Sequence, residues 1–471
     1  MNRSLSINRF DEGKGNKAKD ERIFLKSIFC ILVFFIFLFN SKFFKNIDFL
    51  SCVLLIINLC AFFIAYSIDT TKNFTLYKTS LLFILIFLIL APASQIANNY
   101  YPWNYTVELK ERHIAFVVVF FWIFSLLMVK VIAKPSKKKN KQYKKVLSNH
   151  PMVLVALFLL LIVDVIALQL FSGFQNVFIR MAFYFNAGTP FDIAIDFLLK
   201  SFPILFLAIM RTDKTIMKKH KILFALVLLY AALINNPISH SRFLSMSVYL
   251  GLFFIVFPRL LSWKYIDLLF VFGICVLFPL ASQFKFSSQI DLKSFELSTV
   301  FLSVDYDAFA LMEQGIIFHE KYGLCNGTQI ISSIFFFVPR SILPIKGTPS
   351  GQLIIDALHP GSFNNVSCPL LVEGLLDFGV VGVVLYGFFF SFVTIMLDYK
   401  YIYSNKRSVF CTLYPFLFGY WIYMMRGSLA PTILRFFGFI LPFLLYSVMN
   451  KFYRLGTSNE CAWEKKIGYH E

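Results

Sequence analysis

Uninterrupted apolar runs of about 18 residues or more recur along most of this chain, and a run of that length is long enough for one helix to cross a lipid hydrocarbon layer. Inside such a layer every backbone N–H and C=O must be paired within the protein, which leaves only helices or closed barrels. A barrel would show alternating strands of about ten residues, and the runs here do not alternate. The 58% apolar content and mean hydropathy of +0.70 lie above the roughly 45–50% apolar residues of soluble domains. The chain is therefore expected to be an all-α polytopic membrane protein.

Twelve spans are expected, at roughly 23–39, 47–68, 79–97, 114–133, 151–171, 193–210, 222–236, 243–257, 265–281, 373–396, 408–425 and 431–449. The seventh and eighth are short and read equally well as one broken hairpin. This divides the chain into a membrane portion (1–281), a large loop (282–372), a second membrane portion (373–449) and a tail (450–471). The first run lacks a small-residue cleavage site and reads as a retained anchor. The even-numbered connections and both tails hold about 29 Lys and Arg against about 12 in the odd-numbered ones, which puts both termini in the cytoplasm. The lysine runs "KPSKKKNKQYKK" (134–145), "RTDKTIMKKHK" (211–221) and "DYKYIYSNKR" (398–407) account for much of the +19 net charge. They read as solvated loops attracted to anionic lipid rather than as a nucleic-acid surface.

This orientation exposes the loop 282–372 on the outer face. A loop that long is functional or disordered, and this one carries helical patterning. "LSTVFLSVDYDAFALMEQGIIFHEKYG" (297–323) spaces its apolar residues as a helix does, and "TQIISSIFFFV" (328–338) suits a re-entrant or interfacial helix. The expectation is a folded helical cap on the outer membrane surface.

Within the cap, "FVPRSILPIKG" (337–347) is followed by "EGLLDFGVVGVVLYGFF" (373–389). Together they resemble the bacterial oligosaccharide repeat-unit polymerases, the Wzy type of O-antigen and capsule assembly. In that family an apolar run leads into Pro-Arg, a residue before Pro, and Lys, and a Glu-x-x-x-x-Phe-Gly-x-x-Gly block opens the next helix. "NNPISHSRFLSMSVYLG" (235–251) and "MMRGSLAP" (424–431) are similar to the family's arginine-bearing outer loops. Leu343 departs from the pattern, since many members have an aromatic there. O-antigen ligases share the architecture.

The resemblance implies a membrane glycosyltransferase at the periplasmic face of the bacterial inner membrane, serving lipopolysaccharide or other polysaccharide biosynthesis. A glycan carried on polyprenyl (undecaprenyl) diphosphate would be transferred to the end sugar of the next lipid-linked unit. No cofactor or metal is implied. The partners would be the polyprenyl-diphosphate-linked oligosaccharide, membrane lipid, and the flippase and chain-length regulator of such a pathway. The leaving diphosphate calls for cations, and guanidinium suits it because it is always charged and binds phosphate oxygens in pairs. Arg242, Arg340, Lys346 and Arg426 lie at the expected outer face, with Pro339, Pro344 and Pro349 stiffening the cap segment and Gly347 and Gly351 permitting close approach to an anion. Simple headgroup anchoring is the plainer reading of these cations. Arg435 falls within the twelfth span, where an unpaired charge is costly. It is expected either to bind substrate or to pair with Asp164 or Asp196; Asp196 can instead satisfy Lys200 at i, i+4.

The acceptor hydroxyl needs a base. Glu373 and His359 are the first candidates, with Asp305, Asp307 and Asp377 behind them. Glu373 could equally be a helix-terminus carboxylate, and His359 an ordinary loop histidine. "DYD" (305–307) is similar to a metal-binding Asp-x-Asp, but it falls within an amphipathic pattern. Cys325 and Cys368 could form a bridge in an oxidising compartment or stay unpaired. Two other classes fit a polytopic chain. A lipid-linked oligosaccharide flippase should show span repeats, short loops on both faces and more intramembrane charge; the single dominant loop and few intramembrane charges here favour an enzyme, and a non-catalytic anchor for a glycan-assembly complex stays open on sequence.

Overall fold

The computed structural model describes residues 46–133, 151–171, 173, 190–212, 214–237, 242–277, 300–404 and 408–467. The expected first span, the lysine run 134–145 and the loop segment 282–299 lie outside them. The described residues form helices and turns, with no strand. Among the described residues, six helices are long and apolar enough to cross a membrane: α1 (Phe49–Ile68), α2 (Leu76–Ala97), α3 (Leu109–Ile132), α5 (Phe191–Thr212, preceded by Pro190), α12 (Leu370–Tyr403) and α14, whose apolar part is Leu429–Phe452. Between them come α4 (Pro151–Phe171), α6 (Lys221–Ile234), α7 (Arg242–Val256) and α8 (Ile266–Phe272). The cap contributes α9 (Ala308–Tyr322), α10 (Thr328–Ile334) and α11 (Ser350–Leu358), and α13 is Phe416–Arg426. Two expectations change. The seventh and eighth runs form separate helices of 14 and 15 residues, about 21–23 Å at 1.5 Å per residue and too short for a full crossing alone. The eleventh run is split at Pro415, which begins α13.

The centre of the bundle is α2, the most enclosed of the described candidate spans. Its whole apolar window is enclosed by protein. Its middle widens into a π-helical stretch, Ile84–Leu90, where the Ala91 N–H reaches back to Ile86. Pro92 follows at once and has no N–H to continue the ordinary ladder, so the wider turn absorbs the break. By contrast α4, α12 and α14 leave Leu170, Val381, Phe389 and Met449 uncovered on their outer faces, as a lipid-facing helix requires.

Polar contacts segregate the helix termini into two ends. At the basal end, Asp398 near the end of α12 accepts from the Leu76 and Tyr77 N–H groups at 2.9 and 3.0 Å and from the Tyr414 hydroxyl. It thus caps α2 and uses the helix dipole. Lys130 meets Asp69 at 3.0 Å, and Lys78 meets Asp267 at 3.3 Å. At the opposite, cap end, Asp48 contacts His113 at 2.8 Å, Lys110 pairs with Glu320 at 2.8 Å, and Arg112 meets Glu313 at 3.4 Å. The Gln95 amide donates to the carbonyls of Phe301 and Tyr306, so the cap rests on the top of α2.

The apolar continuity of 370–403 hides a sharp break. Phe378 and Gly379 leave helical geometry, Gly379 at φ 64°, ψ −151°, a region that essentially only glycine occupies. The segment 370–377 therefore turns against the following span, and Gly374 and Gly382 meet backbone to backbone. A Cβ on Gly382 would lie 1.9 Å from the Gly374 carbonyl oxygen. The Phe-Gly-x-x-Gly block of the sequence is thus a requirement of this turn.

Candidate active site at the cap end

The turn brings two carboxylates, four residues apart on one helical face, to the N-termini of two other helices. Asp377 accepts from the Gln329 and Ile330 N–H groups at 3.1 and 3.0 Å, opening α10, and from the Tyr386 hydroxyl at 2.7 Å. Glu373 accepts from the Leu429 N–H at 2.7 Å, opening α14, and from the Ser350 hydroxyl at 2.5 Å, opening α11. Both side chains are fully buried. Of the two roles open to Glu373, the geometry is that of a helix-terminus carboxylate, with both oxygens engaged.

The cations expected to form a clamp separate into different kinds. Lys346 turns inward: its ammonium donates to the Phe336 carbonyl at 2.6 Å and the Val338 carbonyl at 3.1 Å. Burial and the nearby Arg340 push its pKa down. In this structure it closes its own loop, with two of its ammonium N–H groups given to backbone carbonyls. The Gly347 and Gly351 N–H groups likewise donate within the protein, to the hydroxyls of Ser332 and Ser428 at 2.8 and 3.1 Å. Arg340 is exposed and makes one bond, to the Gly347 carbonyl at 3.2 Å. Arg435 donates to the Tyr423 hydroxyl at 2.7 Å and the Pro431 carbonyl at 3.3 Å, so the expected pairing with an aspartate is not found. Asp196 meets Lys200 instead at 2.8 Å. Arg242 opens α7, and its side chain lies outside the described residues.

Arg426 is the most constrained of the set. Its Nη2 donates to Asp307 Oδ1 at 2.8 Å, its guanidinium stacks 4.8 Å from the ring centre of Phe243, and its own carbonyl accepts from the Cys368 N–H at 2.9 Å. Its Nε–H is buried and has no acceptor among the described residues. That group is a charged donor fixed in direction at the junction of cap and bundle. Asp307, the second acid of "DYD", is fully buried; its other oxygen accepts from the Trp103 indole at 2.8 Å. It is engaged by protein donors rather than disposed as half of a metal pair.

His359 is half-buried in the same region. Its Nε2 contacts Gln314 Oε1 at 2.8 Å, and its ring stacks on Tyr105 with centres 4.1 Å apart. With Nε2–H donating to the glutamine oxygen, Nδ1 is left as the basic nitrogen. Burial holds the imidazole below its ordinary pKa, so it is neutral at pH 7. Cys325 and Cys368 stand as free thiols, both pushed up by burial. Asp307, Tyr105 and Trp103 gave no sequence signal of a shared site, because they come together only through tertiary contacts across some 200 residues. No known family model matches the chain, and no curated protein or solved structure matches it either.

Proposed function

We propose that the chain joins lipid-linked oligosaccharide units at its cap end, transferring a growing glycan from polyprenyl diphosphate to the terminal sugar of the next lipid-linked unit. The observation that carries the reading is Arg426, a half-buried guanidinium held by Asp307 and Phe243 whose buried Nε–H finds no acceptor among the described residues. A phosphoryl oxygen is the acceptor such a donor suits best. Arg435 and Arg340 lie on elements packed around the same turn: Phe336 contacts Phe437, and the Gly351 N–H bonds Ser428. Arg242 adjoins Phe243, on which Arg426 stacks. Because Asp307 balances part of the Arg426 charge, the remaining arginines are needed to hold a diphosphate.

In the proposed step the acceptor hydroxyl oxygen attacks the anomeric carbon, and the bond from that carbon to the phosphate oxygen breaks. The diphosphate departs with the bonding pair, stabilised by the guanidinium groups. The hydroxyl proton passes to Nδ1 of His359, which replaces Glu373 as the base because no bond to that nitrogen is found among the described residues. The apolar segment 334–345, with Ile334, Phe337, Ile342 and Ile345 exposed, suits contact with the lipid surface that delivers such a donor.

The test is Arg426→Lys, together with the pair Arg426→Ala/Asp307→Asn, which avoids leaving a buried carboxylate unpaired. At normal protein level each should leave surface glycan as single units. Long chains of normal amount in both variants would overturn the proposal. If polymer instead accumulates on polyprenyl diphosphate, the activity is that of a ligase.

A further inference from the structure

A second feature lies beside Arg426, on the other oxygen of the same carboxylate. Asp307 Oδ1 takes Arg426, and Oδ2 takes the indole N–H of Trp103. Trp103 lies in the short turn "YYPWNY" (100–105), where Trp103 and Asn104 both adopt left-handed backbone, at φ 61° and 59°. Such geometry costs a bulky residue energy and persists only when its surroundings hold it; here the indole bond to Asp307 does so. The indole stacks on Phe363, with ring centres 5.2 Å apart and planes 23° apart, and Phe363 is 58% exposed. The result is a two-ring stack with Phe363 largely open, in a loop whose other exposed residues are Pro360, Gly361, Ser362 and Asn365.

The rim decides what the face suits. Asn104, Asp356, Ser362 and Asn365 are exposed around the two loops, and Asp305 is half-exposed nearby. The charged side chains at this rim are Asp305 and Asp356, with Lys110 paired to Glu320; the Arg426 guanidinium lies on the other oxygen of Asp307 from the stack. An anionic lipid headgroup would meet carboxylates. A neutral sugar would meet both things it needs: a π face for the weakly positive C–H side of a pyranose ring, and amide and carboxylate oxygens for its hydroxyls.

We propose that the Trp103–Phe363 stack is a pyranose-binding platform, holding a sugar of the lipid-linked unit next to the guanidinium that faces its diphosphate. The choice of that unit as ligand rests on the proposed function; the platform itself rests on the stack and its rim. Through Asp307 the two subsites are coupled, because one carboxylate orients both the stacking ring and the cation.

The experiment uses the full chain in detergent and, as probe, the oligosaccharide released by mild acid from the producing cell's own lipid-linked pool. Binding is followed by saturation-transfer NMR and titration. Phe363→Ala, a change at an exposed loop position, should weaken binding by on the order of tenfold, and Phe363→Tyr should restore it. Trp103→Phe, which keeps a ring but drops the bond to Asp307, should weaken it less. Unchanged binding in Phe363→Ala, or no binding by the unaltered chain, would overturn the platform. Loss of association with anionic vesicles in place of loss of sugar binding would also overturn it, making the stack an interfacial anchor. Failure here is distinguishable from failure of the transferase reading, which is decided by glycan length in the Arg426 variants.

Discussion

Replacing Glu373 separates a structural carboxylate from a catalytic one. Its two oxygens accept from the Leu429 N–H at 2.7 Å and the Ser350 hydroxyl at 2.5 Å in a site with about 1% exposure. In Glu373→Gln the introduced carbonyl can keep the Leu429 bond. Its amide can donate to the Ser350 oxygen, whose own proton then turns to Gln329 Oε1, already 3.0 Å away. Every partner stays satisfied and only the charge-assisted part is lost, about 1–2 kcal/mol. Glu373→Ala is different. It leaves the buried Leu429 N–H unpaired, at about 1–3 kcal/mol, and opens a cavity whose cost brings the total to about 3–5 kcal/mol. The assay is the temperature at which half the detergent-purified protein leaves its native elution peak, read beside surface-glycan length. Gln should lower that temperature modestly and keep long glycan; Ala should lower it severely. A Glu373→Gln protein as heat-stable as the original yet limited to single units would refute the argument, because the carboxylate would then be serving as a base.

Gly379→Ala should destabilise the turn by about 1–3 kcal/mol, since the backbone there is one that only glycine adopts freely; the same thermal assay reads it, and Gly382→Ala should do worse because its Cβ would overlap the Gly374 carbonyl. Burial pushes Glu313 up to about 7 from 4.5, against the opposing effect of Arg112. The fold then binds the proton more tightly than the unfolded chain, so stability should fall as pH rises from about 4.5 through about 7 and level off above. Thermal scans across pH 5–8 should show this slope, and Glu313→Gln should remove it. Lys346→Ala should loosen residues 336–347, seen as faster amide exchange confined to that loop, with glycan length unaltered.

The helices were legible because apolar run length is a direct physical requirement of lipid, and most expected spans coincide with helices to within a few residues. What run length does not carry is who touches lipid. The enclosed α2 and the exposed α12 have similar hydropathy, since a protein interior and an acyl layer select the same side chains. The break at Phe378–Gly379 was concealed for the same reason, although the glycines were on view. At the site, the sequence places the arginines near helix ends, but it does not show their partners. Lys346 and Arg426 look alike in sequence. One closes a loop on carbonyls and the other faces a carboxylate 119 residues away, a difference that only long-range packing creates. His359 gave a weak signal for a like reason: Gln314 and Tyr105, which orient it, sit on remote segments.

The pair of acids in the 370–377 turn bears on how this end can move. Asp377 and Glu373 rivet α10, α11 and α14 to one pivot, while Arg112–Glu313 and Lys110–Glu320 pin the far side to α3. A roof fastened at opposite edges does not swing like a lid. Lifting it would break buried contacts at both edges at once, so motion at this end should be confined to the connecting loops rather than shared by the roof as a whole.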